Sequence, residues 1–251
     1  MDVIDEIAYK LIIVLGIFVY IFGLIGNILY ICVFSGWYNL SRKINPVNSN
    51  NNERKGNSPL YLLVSACANF IDIVYPVLTR IMYDGFQYPK TPDNEIITCK
   101  LRFYVLHTFD FISLSCICLA TLDRYLISSR EARLRQLSLS QQKTKFVILF
   151  LIIFIGIHNI PIAFYYKVSE FGDCVISSPI YSYYYLCIIQ IFLHGLFPIC
   201  FISIISVLTY KQLKTLHGRE NAIHVNSDKQ LSRTEMREFT LEKDLFIVIC
   251  T

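Results

Sequence analysis

Apolar and polar positions along this chain segregate into long blocks instead of alternating. Residues 11–35 carry no charge, nor do residues 146–166, and a third uncharged stretch fills the interval between Asp173 and Lys211. Two more blocks are nearly as apolar: residues 60–79 hold Asn69 and Asp72, and residues 103–122 hold His107 and Asp110. A helix rising ~1.5 Å per residue needs about 20 residues to cross a hydrocarbon core of ~30 Å. The pattern therefore predicts five membrane-spanning helices near residues 11–35, 60–80, 101–125, 146–166 and 177–210. A last apolar run, residues 245–251, reads as the start of a sixth. Polar residues inside a span are accommodated when they face the interior of a bundle. The fold class expected is all-α, a polytopic transmembrane helix bundle in one domain covering residues 1–251. Barrel strands would alternate polar and apolar residues in short segments, and these runs do not. The acidic lead-in and the long first run do not resemble a cleavable signal peptide, so the first helix is expected to act as its own insertion signal.

Composition agrees: 54% of residues are hydrophobic and only 17% charged, which excludes a disordered chain and an ordinary cytosolic enzyme. The basic residues add an orientation. Lys10, Lys90, Lys100 and Lys167 fall on one side of the expected membrane, four in all, against seventeen Lys and Arg in the alternate segments 42–55, 124–145 and 211–243. Basic loops stay in the cytosol, so the N-terminus is expected outside and the protein multi-pass. Segments 39–57 and 217–244 are polar and read as solvated connectors.

That topology sorts the nine cysteines. Cys32, Cys67, Cys116, Cys118, Cys187, Cys200 and Cys250 lie in apolar runs, where a thiol acts as a small hydrophobe. Cys99 and Cys174 alone face the oxidising side, where a disulfide forms; two unrelated free thiols are the alternative. In the third span, at ~100° per residue, Leu106, Asp110, Ser113 and Arg124 fall within roughly 40° of one line, while His107 lies about 100° away and is set aside. So polar a helix belongs in the middle of a bundle.

Leu122-Asp123-Arg124-Tyr125, 25 residues after Cys99, resembles the inner end of the third helix in rhodopsin-like (class A) G-protein-coupled receptors. Gly23-Leu24-Ile25-Gly26-Asn27 resembles that family's first-helix signature, Pro198 its fifth-helix kink, and Cys174 the outer-loop partner of Cys99. The resemblance implies a seven-helix receptor in the plasma membrane, with an extracellular ligand pocket and a heterotrimeric G protein as inner partner. Asp123, Arg124 and Tyr125 would form its coupling switch. Arg124 would pair at rest with Asp123 and an acid at the start of the sixth helix, Glu238, Glu242 or Asp244. Asn27, Asn69, Asp72 and Ser113 would be the polar interior, where the family holds a sodium ion.

The chain departs from the family in several places. Asn69 stands where an Asp is usual, with Asp72 one turn outward. The fourth span has no Trp, the single Trp37 being at the inner interface, and Ser206 replaces a Tyr, with Tyr210 a turn further in. His158 and Pro161 are expected to mark a local kink with a polar partner. The chain ends before the sixth and seventh helix motifs, so a product ending at Thr251 is expected to be retained in internal membranes and not to signal.

Leu106 occupies the position where amine receptors carry an Asp, which argues against biogenic amines. A small, basic or amidated peptide met by Asp110, or by Asp93 and Glu95 in the outer loop, is the ligand expected. The alternatives are a truncated receptor that modulates full-length relatives, and a transporter or channel subunit. The latter would show paired helix breaks or a filter sequence, which are not seen. No enzyme motif is present, and no cofactor, metal or nucleic acid is expected.

Overall fold

The computed structural model describes residues 3–44, 57–86, 92–129, 132–169 and 174–224. The run at 245–251 and Glu238, Glu242 and Asp244 lie outside these residues. The chain divides into two units, Met1–Thr209 and Tyr210–Thr251; the described part of the second is helical through His224.

Among the described residues five helices are long and apolar enough to cross a membrane, one for each of the five predicted spans: Tyr9–Gly36, Ser58–Gly85, Ile96–Ser128, Gln141–Tyr165 and Pro179–Lys214. They belong to α1 (Val3–Ile44), α2 (Ser58–Gly85), α3 (Pro92–Ser128), α4 (Gln141–Tyr165) and α5 (Pro179–Lys214). Both α1 and α3 extend beyond their apolar runs, because backbone hydrogen bonding continues into polar sequence. Asp93 and Glu95, expected in a loop, therefore lie on the first turn of α3. The α3–α4 connection, residues 129–140, contains a short helix, Ala132–Leu137.

Prolines account for most irregularities. Pro59 sits in the first turn of α2, where its missing N–H costs nothing. Pro76 lies inside α2, within a π-helical turn, Ile73–Val77. A proline there removes one ladder bond and crowds the carbonyl four residues back, and widening the turn relieves both. In α5 a longer π-helical segment, Tyr185–Leu196, ends two residues before the buried Pro198, the predicted kink. In α4 the helix breaks at Asn159, just ahead of Pro161.

The apolar core lies among the first four helices, with Phe34, Tyr61, Leu62, Ala68, Ile112, Cys116, Ala120, Ile148 and Ile155 buried together. Against α1, α2 packs closely through glycine. A Cβ on Gly23 would stand 2.7 Å from Ile73 Cδ1, and one on Gly16 2.8 Å from Ile81 Cγ1. Small residues allow this approach between helices that lipid does not drive together. Large apolar side chains such as Phe18 and Phe22 of α1, and Leu186 and Ile199 of α5, are left exposed, as a lipid-facing surface requires. Between α4 and α5 runs a small antiparallel hairpin, β1 (Tyr166–Val168) and β2 (Cys174–Ile176), with Val168 opposite Cys174.

Candidate functional site

The polar residues of α3 fall at three levels. At its C-terminal end, Asp123 is buried beside the start of α2. The first N–H groups of a helix have no partner within it, and Asn57 makes no side-chain cap for α2. Asp123 supplies the acceptor instead: Asn57 N and Ser58 N donate to its Oδ2 at 2.6 and 2.8 Å. Ser138 Oγ, from the α3–α4 loop, donates to Oδ1 at 3.2 Å. The Ser58 hydroxyl lies 3.0 Å from Ala120 O and 3.3 Å from Asp123 Oδ2, and Asn57 Nδ2 donates to Leu139 O. A carboxylate at a helix N-terminus also meets the positive end of the helix dipole. Three segments thus meet on one carboxylate, and Arg124 and Tyr125 follow it, half-buried.

At the middle level the groups are far less satisfied. Ser113 and Ser65 share a buried hydrogen bond of 2.7 Å, and Asn69 and Leu106 are half-buried. Asn27 donates to Gly23 O of its own helix at 2.9 Å. Asp72 is only 9% exposed, yet its Oδ1 has no hydrogen-bond partner. It lies within coulombic reach of Asp110, whose side chain is 55% exposed. Among the described residues, the cationic candidate beside Asp110 is His194 of α5, with Nε2 3.7 Å from Oδ2 and otherwise unpartnered. His194 Nδ1 bonds Ile189 O at 2.8 Å. A carbonyl can only accept, so Nδ1 carries the proton. In the neutral ring, Nε2 then turns a lone pair toward a carboxylate. A proton or an external cation removes that conflict.

His107, set aside on angular grounds, is in the interior. Its Nε2 is hydrogen-bonded to the Tyr185 hydroxyl, its ring lies against His194 with centroids 5.9 Å apart, and Phe103 stacks on it at 6.3 Å. The angular reading supposed that α3 has one bundle-facing side. It has two, because α2 packs on one flank and α5 on another. The spacing of Phe103, His107 and Phe111, four residues each, was the signal for this second face.

At the third level, Cys99 and Cys174 form a disulfide with Cα atoms 5.8 Å apart, which ties the N-terminal part of α3 to β2 and removes the free-thiol alternative. Among the described residues the free cysteines include Cys32, Cys67, Cys116, Cys118, Cys187 and Cys200; Cys250 lies outside them. Around the bridge, Ile162, Tyr166 and Tyr181 are buried. Burial, and next the hydrogen bond with Tyr185, pushes the Tyr166 phenol up from its ordinary range. Arg102, stacked over Phe103 at 5.2 Å, pairs with Asp84 at 3.1 Å, a contact the sequence reading did not include.

The break in α4 does carry polar partners. Asn159 is fully buried and its Nδ2 donates to Thr108 Oγ1 at 3.3 Å. His158 sits 3.3 Å from Asn159 Oδ1 and 3.4 Å from the Tyr184 hydroxyl. Among the described residues no three His, Cys, Asp or Glu side chains converge as metal ligands. No family model matches this chain, and no curated protein sequence matches it.

Proposed function

We propose that this chain is a receptor of the rhodopsin-like G-protein-coupled type, seated in the plasma membrane with its N-terminus outside. Its ligand is a small peptide with a cationic group, received near Asp110. Its inner partner is a heterotrimeric G protein, met through Arg124. The observation that carries this reading is that α3 is fastened at both ends, while between them Asp110 faces the otherwise unpartnered Nε2 of His194 at 3.7 Å. The Cys99–Cys174 bridge holds one end, and the Asp123 carboxylate, gripped by α2 and the α3–α4 loop, holds the other. Such a helix is a rigid rod with a polar site at mid-depth and a latch beside the Asp-Arg-Tyr sequence. A bistable latch of this kind lets a ligand at one level bias a partner at another. Lys and Arg placement supports the orientation, since the latched end carries the basic segments.

The test is capture. Carried in a receptor with all seven helices, the chain should retain a nucleotide-free heterotrimeric G protein, release it on addition of GTP, and lose that capture in Arg124→Ala. Equal capture by the wild-type chain and Arg124→Ala overturns the reading. So does labelling of tags near Asp93 and near Ser138 from the same side of intact cells.

A further inference from the structure

The α3–α4 loop holds a sequence that the receptor reading leaves unused. Arg133-Leu134-Arg135-Gln136-Leu137-Ser138 sets arginines five and three residues ahead of a serine. Serine kinases with acidic substrate grooves select by such charge spacing. Both arginine side chains are exposed, and the short helix that carries them ends one residue before Ser138. Ser138 points the other way. It is 8% exposed, and its hydroxyl donates to Asp123 Oδ1. Ser140, two residues on, is exposed but has Leu137 in place of the nearer arginine.

We propose that Ser138 is a phosphorylation site for an arginine-directed serine kinase, and that its modification releases the α3–α4 loop from Asp123 and from the start of α2. This rests on the orientation above, which puts the loop in the cytosol. In the transfer, Ser138 Oγ attacks the γ-phosphorus of ATP. The new Oγ–P bond forms as the bond to the β–γ bridging oxygen breaks, ADP leaves, and the hydroxyl proton passes to the kinase's base. Docked, the hydroxyl is out of reach, so the kinase acts on the loop while it is undocked. The product cannot redock. The proton that Asp123 accepted is gone, and a group of about −1.5 to −2 charge would face a carboxylate already holding two backbone N–H groups. Undocking also withdraws the carbonyl of Leu139 from Asn57. The latch at the start of α2 therefore loosens with the loop.

The experiment uses the full chain in detergent, where both ends of the bundle are open, with an arginine-directed serine kinase and ATP. Peptide mass spectrometry should place the phosphate on Ser138. The label should vanish in Ser138→Ala, fall steeply in Arg135→Ala, and persist in Ser140→Ala. Amide hydrogen exchange at Asn57 and Ser58 should then quicken roughly tenfold, the equivalent of losing one hydrogen bond to a charged group. Phosphate on Ser140 instead, or none at all, overturns the site. Phosphate on Ser138 with unchanged exchange at residues 57 and 58 overturns the release. Labelling in sealed vesicles only from the outer face, with detergent labelling intact, overturns the orientation and the regulatory role with it.

Discussion

Asp110 and Asp123 lie on one helix, thirteen residues and so about 20 Å apart, in opposite circumstances. Asp123 is buried and holds donors from two other segments. Asp110 is largely exposed, and the nearest imidazole nitrogen stands 3.7 Å away. A carboxylate whose acceptor sites are filled belongs to the fold, and removing it strands its donors. A carboxylate left unsatisfied at membrane depth costs stability, so what keeps it there is something other than stability. The ends of α3 are tied into the fold, then, and its middle holds a carboxylate that the fold leaves open.

The largest expected effect tests one fastened end. Cys99→Ser opens a bridge that spans 75 residues of sequence, and loop-closure entropy at that length sets the loss at about 4 kcal/mol. Thermal unfolding of the purified protein in detergent should show it as a drop of roughly 10 °C in Tm. A change under a quarter of that would mean that this end of α3 is held by packing alone, around Ile162, Tyr166 and Tyr181.

Next comes the other end. Asp123→Ala leaves Asn57 N, Ser58 N and Ser138 Oγ without their acceptor, and buried unsatisfied donors cost ~1–3 kcal/mol each before water enters. A net loss of about 3 kcal/mol is expected, with Asp123→Asn intermediate because its carbonyl oxygen still accepts. Urea unfolding of the two variants side by side measures the difference. A value for Asp123→Asn equal to wild type would mean that the carboxylate's second oxygen, and with it Ser138, contributes nothing.

The middle should respond with the reverse sign. Asp110→Leu removes an unsatisfied carboxylate, and stability should rise by about 1 kcal/mol, well below the full cost of an Asp at a helix centre because the side chain is exposed. Binding of a cationic peptide should be lost in the same variant. A destabilisation of this variant as large as that of Asp123→Ala would collapse the contrast between the two aspartates.

Five spans were legible because lipid imposes one strong rule, an uninterrupted apolar length, and the blocks around residues 11–35 and 146–166 obey it without exception. Cys99 and Cys174 were legible because the same rule left only two cysteines on one side. The helix break just ahead of Pro161 and the π-helical segment just ahead of Pro198 lie where the imino acid removes a ladder bond. What sequence could not supply was pairing at a distance. Asn57 and Asp123 are 66 residues apart, and nothing in either neighbourhood names the other. His107 was missed because an angle measured along one helix carries no information about how many neighbours surround it. The hairpin at Tyr166–Val168 and Cys174–Ile176 has three residues per strand, too few for an alternating pattern to register.

The smallest effect sharpens what counts as a fastening. Arg102 and Asp84 join α3 to α2 near the disulfide end, at 3.1 Å, but their side chains are 14% and 33% exposed. Charges reached by water lose most of their attraction, and such pairs contribute ~0.2–1 kcal/mol. Arg102→Ala also gives up the stacking of the guanidinium over Phe103, a contact of about 0.5–1 kcal/mol, whereas Asp84→Ala leaves that stacking in place. Arg102→Ala should therefore cost about 1 kcal/mol, and Asp84→Ala less. Added salt should narrow the wild-type advantage over Asp84→Ala, because screening acts on the exposed pair, and leave the stacking difference between the two variants in place. If Asp84→Ala cost as much as Asp123→Ala, an ion pair open to water would be holding α3 as firmly as a buried carboxylate does, and depth of burial would no longer separate the fastened ends from the open middle.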